Sequence, residues 1–171
     1  MEQFNLRSFK KKMLLNRSVM RRFLSRIEKN KQRGLEKIMQ QEDVEVWKET
    51  DCLACANCCK TMSPTFTNDD VKRIAKHVGM TQEAFREKYL YLDRADKDWM
   101  NKQQPCQFLN LKDNKCSIYE VRPRDCATFP HHTKSKPLDY IHVYKQNVEY
   151  CPATYKLVER MMYRLEGEKP E

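Results

Sequence analysis

The stretch Cys52-Leu-Ala-Cys55-Ala-Asn-Cys58-Cys59 places four cysteines in eight residues, and Cys106, Cys116, Cys126 and Cys151 follow downstream. No other feature constrains the chain as strongly. Eight clustered thiols read either as disulfides or as soft metal donors, and the redox compartment decides between the two. The chain opens Met1-Glu-Gln-Phe-Asn-Leu-Arg7, with neither an apolar run nor a small-residue cleavage site, so a secretory signal is not expected. No stretch approaches the ~18–20 apolar residues of a membrane span. The expected address is therefore the cytoplasm, where thiols stay reduced and clustered cysteines bind metal or do redox work.

Thiolate sulfur selects zinc, copper(I) or iron–sulfur clusters. A Cys-x-x-Cys turn brings two sulfurs to one ion while nearby backbone N–H groups offset their charge. Cys52, Cys55 and Cys58 form two such turns in series, the start of a ferredoxin-type run, and Cys151-Pro152 has that run's ending far downstream. Cys59 directly follows Cys58 and is expected to point elsewhere, towards a second ion, a bridging position, or a place as a spare or redox thiol. Eight cysteines allow two four-thiolate sites, or one cluster with auxiliary thiols. All eight are candidate ligands, for zinc or for iron, with an iron–sulfur cluster included.

Four thiolates on a divalent ion leave a net charge of −2, which needs compensation indoors. Tyr119 and Arg122 lie between Cys116 and Cys126, and a phenol and a fixed guanidinium there are suited to hydrogen-bond around the sulfurs. His131 and His132 offer nitrogen donors, but a loop histidine is more often solvated or hydrogen-bonded within the protein.

Glycine is limited to Gly34, Gly79 and Gly167, which leaves no phosphate-cradling loop of the dinucleotide or P-loop kind. The formal net charge of +9 is confined to residues 1–40, which hold twelve Lys and Arg against three Glu. Residues 41–171 are neutral. The length suits one domain with a real core, and composition divides it into a basic helical segment, 1–48, and a cysteine domain, 49–171.

In the basic segment Phe9, Met13, Met20, Phe23, Leu24 and Ile27 recur at helical spacing, continued by Leu35, Ile38 and Met39. This predicts one long amphipathic helix, or two broken near Asn30–Gly34. Its stripe is expected to pack on the protein, with a protein partner or an anionic surface as the alternative role of its basic face. Nucleic acid is disfavoured, because no aromatic residues interleave the cations.

Downstream, Thr67 with Asp70 predicts a capped helix through Val71, Ile74, Ala75 and Val78, ended by Gly79. Thr81 caps another, with Phe85, Tyr89 and Leu90 inward. Residues 93–105 read as loop, Cys106–Cys116 as a short strand and turn, and Ser117–Val121 as a helical turn capped by Ser117 and closed by Arg122-Pro123. Residues 139–149 alternate like a strand. Pro152 starts a last helix, with Tyr155, Val158, Met162 and Leu165 on one face, ending near Gly167. The expected fold is mainly α: small, irregular, organised around a cysteine-ligated metal centre, with at most one short hairpin.

The order Cys52-x2-Cys55-x2-Cys58-Cys59, then Pro105-Cys106-x-Phe108-Leu109, then Cys116-Ser-Ile118-Tyr119-x2-Arg122-Pro123-x2-Cys126-x2-Phe129-Pro130 resembles the CxxCxxCC, or YkgJ-like, cysteine-cluster family over about residues 50–155. Cys126-Ala departs from the Cys-Arg frequent there. The resemblance implies zinc or iron chelation by these cysteines and no particular reaction. A similar cluster in flagellin lysine N-methylase makes a metal-dependent enzyme of redox or protein-modifying, methyltransferase-like type the alternative.

Overall fold

The computed structural model describes residues 5–132 and 136–167. In chain order its elements are α1 (Leu6–Lys29), α2 (Leu35–Glu49), α3 (Cys52–Cys55), α4 (Asn57–Thr61), β1 (Thr65–Phe66), α5 (Asn68–His77), α6 (Gln82–Tyr89), β2 (Leu90–Leu92), β3 (Trp99–Asn101), α7 (Arg124–Thr128), α8 (Ile141–Asn147) and α9 (Pro152–Glu166). Short 3-10 turns lie at Tyr119–Val121 and Pro137–Tyr140. The chain is mainly α-helical, as expected. Among the described residues no helix is long and apolar enough to cross a membrane.

Two compact units form: residues 1–55 with 130–171, and residues 56–129. In the first unit the basic helices pack their apolar stripes on the C-terminal ones.

In the first unit, α1 begins at Asn5, whose side-chain oxygen accepts from the N–H groups of Arg7 and Ser8. Phe9, Met20, Phe23, Leu24 and Ile27 are buried, and α1 packs on α8 and α9. Met13 is half-buried. The stripe also buries Asn16, whose amide donates to the Tyr155 hydroxyl at 3.1 Å. The break comes where expected: Gly34 adopts φ +86°, left-handed backbone that a side chain would strain, and α2 follows. Glu42 of α2 accepts from Arg160 and Arg164 of α9 at 2.6 and 2.8 Å. Arg17 and Arg21 pair with Glu149, and Arg26 with Glu166. Residues 139–149 are helical, not a strand: Leu138, Ile141, Tyr144 and Val148 are buried at three- and four-residue steps, a helical period that outweighs the short alternation read in the sequence. Pro152 opens α9 at its first position, and Gly167 closes it at φ +71°.

In the second unit the capping box at Thr67 and Asp70 is present on both sides, and Thr81 accepts from the Ala84 N–H. Helices α5 and α6 cover a core of Phe66, Val71, Ile74, Phe85, Leu90, Phe108 and Ile118, in which the Phe85 and Phe108 rings stack at 6.2 Å. A three-stranded antiparallel sheet in the order β1-β3-β2 lies beside them, with Phe66 opposite Trp99 and Tyr91 opposite Met100. Residues 93–105 are thus not all loop. Trp99–Asn101 pairs on both edges, a three-residue strand too short to leave an alternation. Residues 106–116 contribute one antiparallel bridge, Leu109 to Cys116, in place of the expected strand. The turn at 119–121 forms without Ser117 as its cap.

Candidate metal centre

The cysteine run folds as two single helical turns. Asp51 caps the first, accepting from the N–H groups of Leu53 and Ala54 at 2.9 and 3.2 Å. Ala56, at φ +45°, joins it to α4. Left-handed backbone at a residue with a Cβ costs about 1 kcal/mol, so the surrounding structure holds this joint. On α4 the sulfurs of Cys58 and Cys59 lie 4.0 Å apart. The expectation that Cys59 points away from Cys58 is corrected: one tight turn leaves both thiols side by side.

Three further thiols join this pair in the second unit. The backbone N–H of Cys106 donates to the Cys59 carbonyl at 2.8 Å. Cys106 and Cys116 open matching turns, in which the N–H two residues on, from Phe108 and from Ile118, bonds back to the sulfur. Burial of the Phe108 and Ile118 side chains fixes both turns. Cys126 stands on α7, whose start is pinned when Asp70 accepts from the Arg124 N–H at 3.0 Å and whose Asp125 accepts from the Thr65 N–H at 3.1 Å. Arg73 donates to Asp70 at 2.6 Å and to the Arg122 carbonyl at 2.9 Å, closing the clamp.

The electrostatics follow from this gathering. Burial pushes the Cys106, Cys116 and Cys126 thiols up, and the neighbouring sulfurs, Cys59 in each case, push them further. Cys59 goes the other way, down to about 7, because Cys58 donates to it and Lys60 lies close. Arg122 sits 3.9 Å above the Tyr119 ring, and its charge favours the thiolate of Cys116. Asn101, which nothing in the sequence marks, donates its amide to the Cys106 sulfur at 3.3 Å.

Cys52, Cys55 and Cys151 belong to the first unit. Cys52 is exposed and the other two are buried. Cys151 receives bonds from Thr154, while burial, the largest influence, holds its thiol up. His132 is committed elsewhere in that unit. Its Nδ1 meets Asp43 at 2.6 Å, its Nε2 meets Thr154 Oγ1 at 2.9 Å, and its ring stacks on Tyr144. A neutral or charged imidazole so engaged has no nitrogen left for a metal.

Among the described residues no three Cys, His, Asp or Glu side chains stand ready-made around one ion. The donor chemistry nonetheless fits a soft metal. Two sulfurs on a tetrahedral zinc with ~2.3 Å bonds are ~3.8 Å apart, close to the Cys58–Cys59 separation. The mutual opposition of the buried thiols is what a cation would reverse.

The chain resembles an uncharacterized protein, MJ0661, of Methanocaldococcus jannaschii, at 30% identity over 81 residues, which is 47% of this chain and 43% of that one. It thus spans less than half the length of that curated relative. No solved structure matches. A family model matches residues 51–152, more than half of the chain and all eight cysteines, and the chain therefore belongs to that family, CxxCxxCC, described as a "Putative zinc- or iron-chelating domain".

Proposed function

We propose that the protein is a zinc- or iron-binding protein whose centre is built on Cys58, Cys59, Cys106, Cys116 and Cys126. The observation that carries this reading is the gathering of Cys59, Cys106 and Cys116 through the Cys106 N–H bond to the Cys59 carbonyl and the Leu109–Cys116 bridge, with Cys126, 67 residues beyond Cys59 in sequence, near enough to be influenced by all three sulfurs. Cys52, Cys55 and Cys151 are further candidate ligands on their spacing and on the family match. An all-sulfur set suits zinc in a closed structural site, or iron as a single ion or an iron–sulfur cluster. Arg122 and Asn101 offset the charge that several thiolates place around one cation. Metal binding then contributes directly to the stability of the second unit.

Elemental analysis and a visible spectrum of anaerobically purified protein test this. A colourless sample with stoichiometric zinc, or a coloured one with iron, supports it; acid-labile sulfide with the iron identifies a cluster. A sample with neither metal at stoichiometric level overturns it.

A further inference from the structure

Asn101 and Gln107 form a short chain of amides with one sense. The Tyr89 carbonyl oxygen can only accept a hydrogen bond, so the nitrogen of the Gln107 amide faces it, at 3.3 Å. The same nitrogen reaches the side-chain oxygen of Asn101 at 2.8 Å. With its oxygen so engaged, Asn101 must turn its own nitrogen to the Cys106 sulfur, 3.3 Å away. Gln107 holds this orientation although its own oxygen is left buried without a hydrogen-bond partner. A flipped Gln107 would set oxygen against oxygen at both neighbours, a larger cost.

Among the described residues, Gln107 and the Cys106 sulfur are the groups that meet the Asn101 amide, and both favour the same sense. Asn101 is 3% exposed, so water does not compete for it. Its backbone is fixed by pairing opposite Leu90 and by an N–H bond to the Ser63 hydroxyl at 2.9 Å. The sulfur accepts a bond from an N–H group and is repelled by an amide oxygen.

We propose that Gln107, which does not itself meet the sulfur, is a positioning residue that sets the sense of the Asn101 hydrogen bond to Cys106 and thereby how tightly Cys106 holds a zinc or iron ion. This rests on the metal-binding reading above. A thiolate given an N–H donor is a less basic, better-compensated ligand. A thiolate facing an amide oxygen is not, and partners of metal ligands commonly change affinity by about 10–100-fold.

The test is zinc affinity by competition with a chromophoric chelator, with the sulfur-to-metal charge-transfer band of the cobalt-substituted protein as a second readout. Q107E is expected to lose about 10–100-fold in zinc affinity above pH 7. An ionised carboxylate cannot donate to Tyr89 or Asn101, so the Asn101 amide turns over. The sign is diagnostic, because an added negative charge acting by itself would tighten cation binding. The charge-transfer band should move to lower energy as the sulfur loses its donor. Q107M, which removes the orienting group without reversing it, should lose affinity by less than Q107E, and N101D should match Q107E.

Wild-type affinity in Q107E, or equal losses in Q107M and Q107E, would overturn the proposal. If Q107E loses its far-ultraviolet helix signal, N101A carries the same test: the band must shift, and an unmoved band overturns the proposal. A wild-type protein that takes up neither zinc nor cobalt would instead defeat the metal-binding reading itself.

Discussion

The backbone N–H of Cys106 donates to the carbonyl oxygen of Cys59 at 2.8 Å. This one bond brings the end of the cysteine run to the first of the downstream cysteines, 47 residues later in the chain. The two matching turns at Cys106 and Cys116, tied by the Leu109–Cys116 bridge, extend the gathering, and α7 adds Cys126. The predictions below follow from what such a gathering does to protons and cations.

Cys106, Cys116 and Cys126 are held protonated at neutral pH, first by burial and then by neighbouring sulfurs, Cys59 in each case. A metal must displace those protons, so its affinity should rise with pH, by about tenfold per pH unit for each proton released. Competition titrations at pH 6, 7 and 8 check this. A flat profile would mean that these thiols are not the ligands.

The same thiols make the metal-free protein sensitive to alkali. Their folded titration points are raised, so their contribution is fully present below the unfolded thiol value of about 8.5 and is lost as pH rises through the folded values. Metal-free protein should unfold at lower denaturant at pH 9.5 than at pH 7.5. Metal-loaded protein should show little of this loss, since its thiols are already ionised and paired with a cation.

Cys59 should be the most reactive of these thiols in the metal-free protein. Its titration point near 7 leaves about half of it as thiolate at neutral pH. Peptide-resolved alkylation should show its rate rising to half its plateau near pH 7, while Cys126 labels slowly. C58A should move that midpoint upward, because the S–H donor to Cys59 is removed, and metal should suppress the labelling.

Asp70 is a buried carboxylate that caps α5, pairs with Arg73 and holds the start of α7. Burial alone would raise its titration point, but the bonds from Thr67, Arg73 and Arg124 together bring it below the ordinary value. Its stabilisation is therefore present above the unfolded aspartate range and is lost as pH falls through the folded value. D70N should cost about 2–3 kcal/mol at pH 7, with wild type and variant converging in acid. Urea unfolding at pH 7 and below pH 3 measures both.

The helical frame was readable where a local device writes it. Thr67 with Asp70, Thr81, Gly34, and Pro152 with Gly167 each mark a boundary by their own chemistry, and each stands where the sequence places it. The sheet was not readable, since strands of two and three residues carry no period. Residues 139–149 misled because Ile141 and Val143 alternate with polar neighbours while Leu138, Ile141, Tyr144 and Val148 make the buried helical row. The cysteines announced their chemistry through spacing. Asn101 and Gln107 act across the fold and leave no local pattern, and Asp70, legible only as a cap, also holds the start of α7. The Cys-x-apolar repeat at Cys106-Gln-Phe108 and Cys116-Ser-Ile118 was the one signal present for the paired turns.

His132 supplies a contrast. H132A leaves Asp43 and Thr154 without the imidazole between them and removes a ring stacked on Tyr144. Stability should fall by about 1–3 kcal/mol, while the bound metal per chain stays at the wild-type value. Loss of metal at unchanged stability would instead make His132 a ligand.

X-ray absorption at the metal edge of the anaerobically purified protein tests the central claim most directly. The account predicts a zinc or iron edge with a coordination shell of sulfur alone, at ~2.3 Å. A shell of nitrogen or oxygen without sulfur, or the absence of a metal edge, would contradict it.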